Sequence, residues 1–129
     1  GKILEIADRL AATAAMVHSG KTCATLLVDS VKFLGPALLG EILVFKATVN
    51  RVWNTSMEVG VKVCALNPMT QKSRHVVSAY FTFVAIDEQR KPVPIRPLVP
   101  TTPDEQRRYE AAEMRRQRRL ETAEKSKMP

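Results

Sequence analysis

The chain of 129 residues contains no apolar run approaching the roughly 18–20 residues a bilayer-spanning helix requires. A membrane-inserted helix is therefore not expected. Cysteine is scarce: Cys23 and Cys64 sit in apolar, strand-like stretches without CxxC spacing or nearby His, which argues against a zinc site or a disulfide framework. Both read as reduced, buried thiols of an intracellular protein. No single basic block is present either, because residues 1–100 carry 12 basic and 7 acidic side chains and residues 101–129 carry 8 and 6. The net charge of +7 is thus spread along the chain, favouring a polyanionic small ligand or a generally cationic surface over a nucleic-acid arm. No repeat, low-complexity segment or readable targeting signal appears. The sequence opens on Gly1 almost inside a helical pattern, so residues upstream, including a first strand, are expected to precede those given.

What is present is a balance of 45% hydrophobic and 26% charged residues, ordinary for one compact soluble domain. Residues 2–18 place Ile3, Ile6, Ala7, Leu10, Ala14 and Val17 on one helical face, with Leu4, Ala11, Ala12 and Ala15 on its flank. Only Lys2, Glu5 and Arg9 make a polar wedge, so this helix is expected to be largely buried, ending at Ser19-Gly20.

From residue 22 the period falls to two. Strands are expected over 22–33, 41–53, 56–65 and 74–86, in meander order. In the second, Leu43, Phe45, Ala47, Val49 and Trp53 share a face. In the third, Met57, Val59, Val61, Val63 and Ala65 face a core while Ser56, Glu58, Gly60, Lys62 and Cys64 face water. Asn67-Pro68 turns the chain, and the fourth strand presents Val77, Ala79, Phe81, Phe83 and Ala85.

Five of the eight prolines fall between 92 and 103, which predicts an extended connector. Thr102-Pro103-Asp104-Glu105 then reads as a capping box opening a helix to about residue 124. Asp104/Arg108 and Glu121/Lys125 stand at i,i+4, but Tyr109, Ala112, Met114 and Leu120 form no continuous stripe, so a mostly solvated tail is expected over 104–129.

One buried helix before an antiparallel sheet predicts an α+β architecture in which the sheet wraps the helix. Asp8 is out of place in that helix, projecting between Leu4 and Ala12 among alanines. A carboxylate there either faces a partner or a cavity, since burial unpaired costs several kcal/mol, or it is an early-turn acid favoured by the helix dipole.

Gly1-Lys2-Ile3-Leu4 with Asp8, Ala11 and His18 resembles the helix of acyl-CoA thioesterases of the hot dog superfamily. The resemblance continues through Thr25, Asp29 and Phe33, Pro36, Gly40-Glu41, Asn54-Thr55-Ser56-Met57-Glu58-Val59 and Tyr80-Phe81-Thr82-Phe83-Val84-Ala85. The connector and charged helix, with Pro94, Leu98-Val99-Pro100, Asp104-Glu105 and Arg108-Tyr109-Glu110, are similar to the tail of cytosolic-type acyl-CoA hydrolases.

The resemblance implies a hot dog domain over 1–91, the connector over 92–103 and the charged helix beyond it. It implies hydrolysis of fatty acyl-CoA to free acid and CoA, with Asp8 as general base or nucleophile. Amides at the helix start, near Gly1, would form the oxyanion hole, as unpaired N–H donors and positive dipole favour. CoA is part of the substrate, and neither a metal nor another cofactor is implied. Asn54, Thr55 and Ser56 form either a plain polar turn or a contact with CoA. Arg51, Lys46 and Lys62 either meet CoA phosphates or belong to a solvated face, and Thr25 and Asp29 either line the site or hold the strand edge. His18 is a capping or interface residue or a base, and His75 is read as structural.

The resemblance further implies a homo-oligomer, a dimer or a trimer of dimers, with sites at the interface and an Asn from before the helix of the facing protomer. A cytoplasmic location is implied, with the mitochondrion as alternative. Arg9 and Val17 depart from the family pattern, which keeps a second reading in play: an inactive unit of a larger thioesterase that still binds acyl-CoA. Nucleic-acid binding through Arg107, Arg108, Arg115, Arg116, Arg118 and Arg119 is disfavoured, because interspersed acids leave that tail at +2 without a stacking platform.

Overall fold

A computed structural model describes residues 1–127. Met128 and Pro129, the end of the expected tail, lie outside the described residues. The elements are α1 (Lys2–Ser19), β1 (Thr22–Phe33), β2 (Ile42–Val52), β3 (Ser56–Leu66), β4 (Ser73–Ile86) and α2 (Pro103–Ser126). None of the described helices is long and apolar enough to cross a membrane.

Ala7, Ala11 and Ala15 recur every four residues along α1 and are completely buried. Their small side chains let the helix lie close against the sheet. Gly20 ends it at φ 67°, donating its N–H to the Met16 carbonyl, the left-handed stop that Ser19-Gly20 predicts. The connector then clamps this end: Arg96 Nε donates to the His18 carbonyl, and His18 Nε2 lies 3.2 Å from the Arg96 carbonyl.

The four strands fall close to their expected bounds, but their order is β1-β4-β3-β2 rather than a simple meander. The strands β2, β3 and β4 do follow one another, whereas β1 pairs with β4 from Thr22↔Ile86 to Phe33↔Val77. The chain between β1 and β2 crosses the sheet end instead of closing a hairpin. Arg74 at the start of β4 fastens that crossing by donating to both the Glu41 carboxylate and the Pro36 carbonyl.

The inner face carries the core. Met57, Val59, Val61, Val63 and Ala65 of β3 lie with Val77, Ala79, Phe81, Phe83 and Ala85 of β4 beneath α1, as their alternation predicts. A helix enclosed by one antiparallel sheet is the α+β hot dog arrangement. In β2 the expected face is interrupted by a bulge between Val49 and Arg51. Asn50 is the extra residue, so Val52, opposite Met57, joins the core and Trp53 turns to the other side.

The outer face is not the wet surface expected. Glu58 is 0%, Asn50 3% and Thr82 5% exposed, because α2 lies across them. Thr102 caps α2 by accepting from the Glu105 N–H at 3.1 Å, and Pro103 occupies the first turn. Its docking is polar: Arg115 forks onto Glu58 at 2.9 and 2.8 Å, Arg119 reaches Asp29 at 2.9 Å, and Trp53 Nε1 donates to Glu113 at 3.1 Å. Asp104 pairs with Arg107 rather than the expected Arg108, which leaves Arg108 beside the sheet.

Candidate active site

Asp8 sits half-buried on α1 and accepts a hydrogen bond from Thr25 Oγ1 at 3.1 Å. Thr25 stands on β1 just before a bulge at Leu26, in the row shared with Phe83 and therefore on the inner face. Among the described residues no Lys, Arg or His forms an ion pair with Asp8. The carboxylate is thus held by one neutral donor, with acceptor capacity left over for a water.

Gly1 caps α1 without a side chain, and a Cβ there would meet open space. The first helical bond runs from the Glu5 N–H to the Gly1 carbonyl at 3.1 Å, so the N–H groups of Lys2, Ile3 and Leu4 have no acceptor within the helix. Seven residues at the helical rise put Gly1 about 10 Å from Asp8 along the axis. Because a helical side chain leans toward the N-terminus, the Asp8 carboxylate covers part of that gap.

Asn54 and Thr55 form the β2–β3 turn and Ser56 opens β3, at the same level of the sheet. The register aligns Thr25 with Phe83 and Phe83 with Met57, so the turn begins two strands from Thr25, about 10 Å across the sheet. Its backbone is stitched into the fold: the Asn54 carbonyl accepts from Ile95 N–H and the Thr55 carbonyl from Ala85 N–H. These are backbone bonds, and the side chains of Asn54 and Thr55 take no part in them.

Arg51 is placed elsewhere, on the outer face opposite Glu58, and is engaged by α2. Its guanidinium lies 3.8 Å over the Tyr109 ring, donates to the Tyr109 carbonyl at 3.2 Å and stands 3.8 Å from Glu113. A side chain held in this way fastens the helix to the outer face. Asp29 likewise holds α2 through Arg119 rather than joining Asp8. His75 Nε2 stays within the sheet, 2.9 Å from the Val77 carbonyl and 2.8 Å from Ser78 Oγ.

The outer face also holds a buried cluster that sequence reasoning passed over. Arg115 and Asn50 Nδ2 both donate to Glu58, and the Arg115 guanidinium stacks 3.6 Å from the Tyr80 ring centre. Burial presses the Arg115 pKa down, but the Glu58 hydrogen bond and charge outweigh it and leave it raised. Gly60 makes room for the cluster, since a Cβ there would come within 2.7 Å of Asn50 Nδ2. Nothing in a strict alternation marks Glu58 as buried; the partner that covers it lies 57 residues further on.

Against known proteins, residues 1–72 match the family described as the thioesterase superfamily. The chain is 40% identical to protein VdlD of Helicobacter pylori over 119 residues, spanning 92% of this chain and 68% of that one. An apo-hexameric acyl-CoA thioesterase superposes with a TM-score of 0.91 at 36% identity, over 95% of this chain and 79% of that one. The acyl-CoA hydrolase of Staphylococcus aureus, solved with butyryl coenzyme A and coenzyme A, gives 0.90 at 34% identity, over 98% and 77%. That enzyme has also been crystallised with an aspartate and, further along its chain, a threonine replaced by alanine. A helix wrapped by an antiparallel sheet, an Asp–Thr contact on its inner side and a family match over residues 1–72 all agree, and the chain belongs to the thioesterase superfamily.

Proposed function

We propose that the protein hydrolyses fatty acyl-CoA to the free acid and coenzyme A, with Asp8 as the general base. The carrying observation is the Asp8 carboxylate held by Thr25 Oγ1 on the same helix as three unpaired amides. Its support includes spacing: 17 residues separate Asp8 from Thr25, and the same number separates the substituted aspartate and threonine of the Staphylococcus aureus enzyme.

In this reading Asp8 takes a proton from water, whose oxygen forms a bond to the thioester carbon. The carbonyl oxygen becomes negative and is stabilised by N–H groups at a helix start, where the macrodipole is positive. The tetrahedral intermediate collapses by breaking C–S, expelling the CoA thiolate, which takes up a proton. A thiolate is a good leaving group, so no strong acid is needed. CoA belongs to the substrate, and the scheme draws on no further cofactor. Asn54, Thr55 and Ser56, across β4 from Thr25, are proposed to contact the pantetheine arm.

The working unit is proposed to be a homo-oligomer built from dimers. On the inner face the β1 margin is bare, with Val28 50% and Phe33 65% exposed, and Ile6 of α1 is 41% exposed. A second copy laid along this margin covers them and brings its own helix start toward Asp8.

The test is thiol release from a ladder of acyl-CoA chain lengths, native against Asp8→Asn. The variant is expected to lose about 10²-fold or more in turnover, as removal of a general base does. Equal turnover by both forms overturns the role of Asp8. Binding without turnover by the native chain makes it an acyl-CoA-binding unit instead.

A further inference from the structure

The alternation that sets Leu43, Phe45, Ala47 and Val49 on the inner face of β2 would carry Trp53 inward with them. The extra residue Asn50 breaks that alternation and aims the indole outward, onto α2. A large aromatic side chain is thereby withdrawn from the core, where its burial would stabilise the protein, and set against charged groups of a helix. Trp53 Nε1 donates to Glu113 at 3.1 Å, and the Arg116 guanidinium lies 4.9 Å over the indole ring. Glu113 is braced in turn by Gln117 Nε2 at 3.3 Å and by Arg51 at 3.8 Å.

The contacts of α2 fall into two rows. Arg115 and Arg119, one helical turn apart, dock it to Glu58 in the sheet and to Asp29 on β1. Tyr109, Glu113 and Arg116 follow one another at spacings of four and three, and they meet Arg51 and Trp53, where β2 runs into the turn. Trp53 immediately precedes Asn54 and Thr55, and its N–H closes the turn on the Ser56 carbonyl at 2.8 Å. From the other side the Asn54 and Thr55 carbonyls are held by Ile95 of the connector and Ala85 of β4, at 2.9 and 3.0 Å. The turn is thus gripped between the connector and β4 on one side and α2, through a single indole, on the other.

We propose that Trp53 and Glu113 are positioning residues for the substrate: through their hydrogen bond, α2 fixes the turn of Asn54 and Thr55 where it meets the pantetheine arm. This rests on the reading that Asn54, Thr55 and Ser56 contact that arm. A short turn binds a flexible ligand more tightly when its backbone already stands in the bound position, because less ordering remains to be done on binding. The indole suits the task, being rigid and joined to the turn by one peptide bond. Asp8 and the α1 amides lie on the opposite side of the sheet and keep their geometry, so binding changes while the chemical step does not.

The experiment is steady-state hydrolysis of acyl-CoA and calorimetric titration with coenzyme A, on the full chain in native form and as Trp53→Phe, Glu113→Ala, their double variant, Glu113→Gln and Arg119→Ala. Trp53→Phe keeps a ring for Arg116 and removes the N–H donor, so it is expected to fold, and circular dichroism checks every variant. Trp53→Phe and Glu113→Ala are each expected to raise KM, and the Kd for coenzyme A, about fivefold at unchanged kcat, the size of one lost hydrogen bond. The double variant raises them no further, because both single changes remove the same contact. Glu113→Gln keeps an acceptor oxygen for the indole and restores native KM. Arg119→Ala loosens α2 further along the helix, lowers Tm and leaves KM as it was. Unchanged KM and Kd in Trp53→Phe and Glu113→Ala overturn the proposal, as does an equal rise in Arg119→Ala, which would make the docking of α2 as a whole responsible. Amide NMR shifts of Asn54 and Thr55 report the turn itself, moving in Trp53→Phe and Glu113→Ala and holding in Arg119→Ala. Shifts that move without any change in Kd show the turn to stand away from the substrate, and the inference falls while hydrolysis stands. Coenzyme A affinities in the expected order, in a chain without turnover, leave the inference standing while the role of Asp8 falls.

Discussion

Glu58 is the residue whose environment is most exacting. Its carboxylate is wholly buried, and three donors satisfy it: two from Arg115 and one from Asn50. A buried ion pair contributes little against an apolar pair of the same shape, but a buried charge stripped of its partner is costly. Arg115→Met is therefore expected to lose about 3 kcal/mol in urea unfolding. Adding Glu58→Gln to that variant should recover part of the loss, because the group left behind no longer carries charge. Equal stability of native protein and Arg115→Met would show that α2 does not seal Glu58. Asp8 differs in kind, being half-buried with one neutral donor, and its substitution is expected to change turnover far more than folding.

Among the elements, α2 is held by a contact that depends on pH. Burial pushes Glu113 up, but hydrogen bonds from Trp53 and Gln117, with Arg51 and Arg116 nearby, outweigh it and leave its pKa lowered. A carboxyl lowered on folding stabilises the protein above its unfolded value and loses that contribution as pH falls through the folded one. Glu113→Gln is thus expected to lower Tm at pH 7, with the difference shrinking as pH drops below 4.5, the ordinary value for Glu. Trp53 is the only tryptophan and touches Glu113 directly, so its fluorescence follows the same transition. The strands and α1 were legible because apolar residues repeat at periods of two and of three to four. The docking of α2 was not, since it works through Arg–carboxylate pairs separated by 57 and 90 residues instead of an apolar stripe. The β1 crossover and the Asn50 bulge escaped for a related reason: periodicity specifies faces but not neighbours. At the site, Asp8 stood out as an acid among alanines, whereas its contact with Thr25 required the fold to bring helix and strand together.

For the whole molecule, the bare β1 margin sets the expected assembly. Val28→Asp places a charge where a second copy would dry the surface, and it is expected to shift sedimentation toward a lighter species while leaving the circular dichroism unchanged. A native protein that already sediments as a monomer would remove the basis for that assembly. The two faces of the sheet also differ in what they ask of a chain under synthesis. α1 precedes the four strands in the chain and is ready to cover the apolar face as they arrive. α2 follows the strands, and the face awaiting it shows Lys46, Thr48, Glu58, Lys62, Ser78 and Tyr80, groups at ease in water. An unfinished chain therefore remains hydrated rather than adhesive on the side it cannot yet close. The order of translation thus matches the order in which the two faces need shelter.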